Sequence, residues 1–146
     1  MNKHTTPLPS LTCMCASFRR TARALTRHYD RALRPLGLRA TQFTALQALA
    51  RAGALSQRHL GRLLVMDSTT LTRNLGVLRR RGWVARRRGR DRREWRLSLT
   101  PAGEARLRRA LPRWERVQER LRRRLGEGRW NHLLQWTNQV TTAVAE

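Results

Sequence analysis

The sequence predicts a mainly α-helical fold with one small β-hairpin, an α+β arrangement. Three observations predict it. Apolar residues recur at steps of three and four over six separate stretches. That period gives way once, between residues 83 and 99, to strand-like alternation. Gly, Pro or a small polar residue stands at most of the boundaries.

Residues 1–12 are polar and Pro-broken and read as a flexible arm. From Cys15 the apolar positions Phe18, Ala22, Leu25, Tyr29, Ala32, Leu33 and Leu36 mark a long amphipathic helix, closed by Gly37. Thr41 is the expected cap of a second helix with Phe43, Leu46 and Leu49 inward, ending near Gly53. Ser56 caps a short third helix with Leu60, Leu63 and Leu64 inward. After the tight connection at Val65 and Met66, Asp67 or Ser68 caps a fourth helix, residues 68–81, with Leu71, Leu75 and Leu78 inward. Two short helices joined by about four residues form a helix-turn-helix.

After Gly82 the pattern reads strand (residues 83–88), turn (89–92), strand (94–99), with Trp95, Leu97 and Leu99 on one face. The hairpin forms a wing over residues 86–96. Trp95 is expected to pack beneath it. Thr100 and Pro101 then open a fifth helix with Leu107, Leu111, Trp114, Gln118, Leu121 and Leu125 in register. Pro112 is expected to bend it. Trp130, Leu133, Leu134, Thr137, Val140 and Val144 mark a sixth. Residues 37–100 thus make a DNA-binding-type domain. Residues 13–36 and 101–146 carry apolar stripes too long for that domain to cover, which predicts dimerisation helices and a homodimer.

Composition narrows the function classes. The 146 residues carry 32 Lys+Arg against 9 Asp+Glu, a net charge of +23. Lys3 is the only lysine. A GC-rich genome would raise arginine, but not decide where it sits. Residues 1–50 hold +7, residues 51–100 hold +11 and residues 101–146 hold +5, so the excess peaks on the helix-turn-helix and wing. Such a field fits double-stranded DNA as partner. No stretch has the roughly 20 apolar residues of a membrane span, and Leu11-Thr12-Cys13 lacks the apolar run that precedes a lipid-attachment site. A cytoplasmic protein with no membrane partner is expected. Paired carboxylates, a phosphate-cradling Gly loop and a Ser/His/Asp grouping are all missing, which argues against an enzyme and against a bound cofactor.

Several strings carry a family resemblance: Leu38-Arg39-Ala40-Thr41-Gln42-Phe43, Met66-Asp67-Ser68-Thr69-Thr70-Leu71-Thr72-Arg73, Arg81-Gly82-Trp83-Val84, Asp91-Arg92-Arg93 and Leu99-Thr100-Pro101-Ala102-Gly103. In this order they resemble the multiple-antibiotic-resistance-regulator (MarR) family of winged helix-turn-helix transcription factors. The resemblance implies a triangular homodimer on a pseudopalindromic operator, usually a repressor.

On the fourth helix, Ser68, Thr69, Thr70, Thr72, Arg73 and Asn74 lie outside or beside the buried stripe and are the candidate DNA-reading residues. Short hydroxyl side chains let a helix sit deep in the major groove, and Arg73 suits a bidentate guanine contact. Residues 79–96 hold ten Arg against Asp91 and Glu94. Arg90, Arg92 and Arg93 occupy the hairpin tip, where a narrow minor groove attracts guanidinium. The resemblance implies that Arg93 inserts and Asp91 orients arginines. Arg86, Arg87 and Arg88 suit phosphate contacts. The rival reading is a non-specific basic DNA-coating or architectural protein, for which charge alone suffices.

Cys13 and Cys15 are the only cysteines. At a helix start, among Arg19 and Arg20, a thiol is drawn toward the reactive thiolate. Cys15 and Tyr29 are spaced similarly to the reactive cysteine and tyrosine of the family's organic-hydroperoxide-sensing branch, although Ala40 stands where a second tyrosine belongs and Arg19 where an aromatic does. Three effector readings stay open: peroxide oxidation of Cys15, a thiophilic metal on Cys13 and Cys15, or a small phenolic ligand in a cleft beside inert thiols.

Overall fold

The computed structural model describes residues 9–89 and 94–145. Six α-helices and three short strands follow in the order α1 (Met14–Leu33), α2 (Ala40–Ala52), β1 (Leu55–Ser56), α3 (Gln57–Leu64), α4 (Ser68–Arg80), β2 (Val84–Arg88), β3 (Trp95–Leu99), α5 (Pro101–Leu125) and α6 (Glu127–Val144). The architecture is the predicted winged helix-turn-helix with flanking helices. A 3-10 turn, Arg34–Leu36, extends α1 to Gly37, whose φ of 67° is the left-handed conformation that stops it.

The sheet has one strand more than the sequence announces. β3 lies between β2 and β1, antiparallel to both, with Val84 opposite Leu99 and Leu55 opposite Leu97. Two residues of β1 are too few to show an alternating pattern. They pin the hairpin to the start of α3.

Leu33, Leu38, Phe43, Leu46, Leu49, Leu60, Leu71, Leu78 and Leu97 are fully buried and come from α1, α2, α3, α4, β3 and the connection before α2. Each large apolar side chain withdrawn from water contributes about 1.5–3 kcal/mol. Tyr29, Leu111 and Trp114 pack on this core, and Trp114 meets Phe43 with ring centroids 5.8 Å apart. Leu63 corrects the expectation of a third inward leucine on α3: it is 54% exposed, because an eight-residue helix turns only Leu60 and part of Leu64 inward.

The caps follow local chemistry. Ser56 accepts from the His59 amide and Asp67 from the Thr70 amide. Thr41 does not cap α2. The helix starts two residues earlier, with Arg39 at the cap position, where the Gln42 side chain accepts from the Arg39 amide and Asp30 Oδ1 accepts from the Ala40 amide at 2.7 Å. A carboxylate ten positions upstream replaces the local hydroxyl.

The wing joins α5 through a compact knot. Thr100 Oγ1 donates to the Gly82 carbonyl and accepts from the Gly103 amide at 3.0 Å, while the Thr100 amide donates to the Trp83 carbonyl at 3.1 Å. The guanidinium groups of Arg81 and Arg106 both lie over the Trp83 ring, at 5.0 and 4.8 Å, and donate to the carbonyls of Gly37 and Leu36. Thr100→Ala removes a cap and a cross-link together. Urea unfolding is expected to register a loss of about 1–2 kcal/mol. α5 runs unbroken through Pro112.

Candidate nucleic-acid interface

The end of α4 and strand β2 face one cleft, with Arg79, Arg80 and Arg86 on its walls. The left-handed turn at Val65 (φ 49°) redirects the chain after α3, and Asp67 then nucleates α4. Thr70, through its hydroxyl and its amide, holds the Asp67 carboxyl below the usual carboxylate range. A folded-state pKa lowered in this way gives stability that is complete above the unfolded value and fades as pH falls through the lowered one. Protection of the Thr70 amide, measured as its exchange rate relative to an unstructured chain at the same pH, is therefore expected to fall on acidification below about pH 4. In Asp67→Asn that acid step should be missing.

The cap leaves Ser68, Thr69, Thr70, Thr72 and Arg73 exposed along the first turns of α4. Leu71, Leu75 and Leu78 anchor the opposite side. Thr72 Oγ1 accepts from Gln57 Nε2 at 2.9 Å, which ties the first helix of the pair to the second. Gln57 was not singled out from sequence. Its position as the first residue of α3, next to the Ser56 cap, is the signal that could have found it.

Asn74 departs from the expected reading surface. It is buried, and its Nδ2 donates to the Thr41 carbonyl at 3.2 Å. It thus satisfies a backbone acceptor at the start of α2 and is turned away from the exposed face of α4. Helical periodicity places residue 74 beside Leu71 and Leu78, but cannot show that a carbonyl 33 positions away awaits it.

On the wing, Arg86 and Arg88 are exposed and share one face with Trp95. Their guanidinium carbons stand 4.2 and 4.0 Å from the Trp95 ring centroid. Trp95 therefore does not pack beneath the hairpin. The hairpin projects past the core after Leu97, so the next residue on that face meets arginines instead of leucines. Stacking restricts the orientation of the two guanidinium groups on that face. Arg90, Asp91, Arg92 and Arg93 lie outside the described residues. A cleft of about 520 Å³ between the end of α4 and β2 is lined by Arg79, Arg80 and Arg86, adding two arginines to the candidate phosphate contacts.

Cys13 and Cys15 are both exposed at the start of α1. Arg20 donates to the Pro9 carbonyl at 2.8 Å. Tyr29 is half-buried against the core, and burial pushes its phenol up from the usual range. Cys15 and Tyr29 lie on the same helix, 14 positions apart, hence roughly 21 Å at 1.5 Å per residue. Within one chain they cannot meet. Among the described residues there is no group of three or more His, Cys, Asp or Glu side chains that could hold a metal ion, and no helix is long and apolar enough to cross a membrane.

Comparison with known proteins supplies the family. Residues 36–94 match the MarR family model. An uncharacterised helix-turn-helix-type transcriptional regulator of Bacillus subtilis, YwoH, is 33% identical over 84 residues, which cover 58% of this chain and 61% of that protein. The crystal structure of the Mycobacterium tuberculosis transcriptional regulator MosR in complex with DNA is 38% identical, covers 90% of this chain and 95% of that one, and superposes with a TM-score of 0.81. The transcriptional repressor CouR, bound to a 23-mer DNA duplex, is 25% identical over 88% of this chain and 92% of its own, also with a TM-score of 0.81. These similar proteins are transcriptional regulators, not enzymes.

Proposed function

The chain belongs to the MarR family of transcriptional regulators, and on that premise we propose that it is a cytoplasmic homodimeric repressor that binds a pseudopalindromic operator in double-stranded DNA. The observation that carries this reading is the exposed, Asp67-capped start of α4 beside an arginine-faced wing. Ser68, Thr69, Thr70, Thr72 and Arg73 would enter the major groove. Arg86 and Arg88 would follow the backbone, the tip residues Arg90, Arg92 and Arg93 would enter the minor groove, and Asp91 would orient the arginines. Asn74 supports the helix from behind. Residues 37–100 would be the reading domain, and α1, α5 and α6 the dimerisation elements.

Arg73→Ala tests base readout. It is expected to cost about 1–3 kcal/mol and to relax preference at one operator position. Unchanged preference in a selection over randomised operators would remove Arg73 from that role. By contrast, Arg86→Ala should weaken all sequences alike and reduce the salt slope of binding by about one unit.

For release from DNA, we infer oxidation of Cys15. The exposure of its thiol supports this. The sulfur would attack an organic hydroperoxide, becoming a sulfenic acid as the O–O bond breaks and the alcohol leaves. Any Cys15–Tyr29 contact would have to form between the two chains, since α1 separates them within one. A second reading keeps the thiols inert and uses the cleft of about 380 Å³ between α2 and α5, where Leu49, Leu107 and Leu111 form an apolar floor beside Glu104 and Arg108. That setting suits a small, mainly apolar ligand with a polar group. Hydroperoxide should release wild type from its operator and leave Cys15→Ser bound. Equal release of both would transfer the role to the cleft.

A further inference from the structure

We propose that the groove between α1 and α5 is a binding site for a short linear polyphosphate, either the free chain or the phosphate chain of a nucleotide. The groove encloses about 370 Å³ and is lined by His28 and Arg31 from α1 and by Arg113, Arg116, Arg120 and Arg124 from α5. The α5 arginines follow at steps of three and four, so they share one helix face. They span roughly 16 Å along the axis at 1.5 Å per residue. Ala32, Val117 and Leu121 form the floor.

Among the described residues, none of these five guanidinium groups has a carboxylate within ion-pair distance. The acids on the same elements are turned elsewhere. Asp30 accepts from the Ala40 amide. Glu104 lines the α2–α5 cleft, and Glu115 and Glu119 line the α5–α6 groove with Trp114 and Trp130. Glu127 reaches Arg122. Like charges four residues apart on a helix repel, and a concave low-dielectric wall concentrates their field. The arrangement therefore lowers stability until an anion enters. Guanidinium pairs with phosphate oxygens in bidentate fashion, and a row of five matches a chain of phosphates better than one isolated anion.

The groove is separate from the DNA-facing surface. Arg113 and Arg124 lie roughly 18 and 35 Å along α5 from its wing-side start at Pro101, at 1.5 Å per residue. DNA contact by α4 and the wing leaves this row of arginines unexplained.

Calorimetric titration of the whole protein with inorganic tripolyphosphate, at about 0.15 M salt to suppress diffuse binding, tests the site. Saturation at one molecule per chain is expected. Arg116→Ala with Arg120→Ala should weaken binding at least tenfold. Arg86→Ala with Arg88→Ala, on the wing, should change it less than about twofold. Orthophosphate should bind at least a hundredfold more weakly. A nucleoside triphosphate equal to tripolyphosphate would identify the phosphate chain as sufficient; a tenfold tighter nucleotide would assign the Ala32, Val117 and Leu121 floor to the nucleoside. Circular dichroism of both variants checks that they fold. Absence of saturable binding, or equal loss in the groove and wing variants, would overturn the proposal.

Discussion

Replacing Gly103 with alanine is expected to destabilise the protein by about 3 kcal/mol, the upper end of the usual overpacking cost. A Cβ built at Gly103 runs into the backbone carbonyl of Trp83. That carbonyl already accepts from the Thr100 amide, and the chain around it is held by the Thr100 hydroxyl on Gly82. No flexible side chain is there to give way. α5 must lift off the base of the wing, or Trp83 must leave the core, where it is 7% exposed. A fall in Tm of about 10 °C is expected, and Gly103→Ser should behave alike. An unchanged Tm would mean that the close approach of α5 to the wing is not a feature of the folded protein.

The second large effect concerns assembly. Leu133 and Trp136 are 51% and 67% exposed on α6, and Phe18 and Leu25 are exposed on α1. Among the described residues nothing covers them. Leu133→Glu combined with Trp136→Glu should leave the fold intact, since neither side chain belongs to the core. In sedimentation the variant is expected at the mass of one chain and wild type at twice that. Operator affinity should fall at least a hundredfold, because a dimer engages its second half-site at high effective concentration and a monomer does not. A dimeric variant with full affinity would place the interface elsewhere.

Much of this was legible in residue spacing. The six helices, the hairpin and the buried leucines of α4 follow from period and capping residues, because each is a local property of a few neighbouring positions. The Thr100-Pro101 start of α5 is of the same kind. What escaped depends on partners distant in sequence. Asn74 reads as an exposed polar residue until the Thr41 carbonyl stands opposite it. The cap of α2 comes from Asp30 and Gln42 rather than Thr41, through a contact ten positions back. Trp95 continues an apolar alternation, but the hairpin has already left the core where it falls. Gly103 could be recognised as part of a string, yet its reason, the carbonyl of Trp83 at its α-carbon, exists only once wing and helix are packed. Cys15 and Tyr29 had suggestive spacing, and the straight run of α1 turns that spacing into a separation within one chain.

The central claim is sequence-specific recognition of duplex DNA by α4 and the wing, rather than coating driven by a charge of +23. It is tested most directly by competition. Binding to the DNA upstream of the protein's own gene is measured at about 0.15 M salt against increasing bulk genomic DNA. A regulator is expected to prefer its site by about 10³-fold or more and to hold it through a large excess of competitor. Loss of the labelled duplex in simple proportion to the competing DNA would contradict the assignment and leave a basic coating protein in its place.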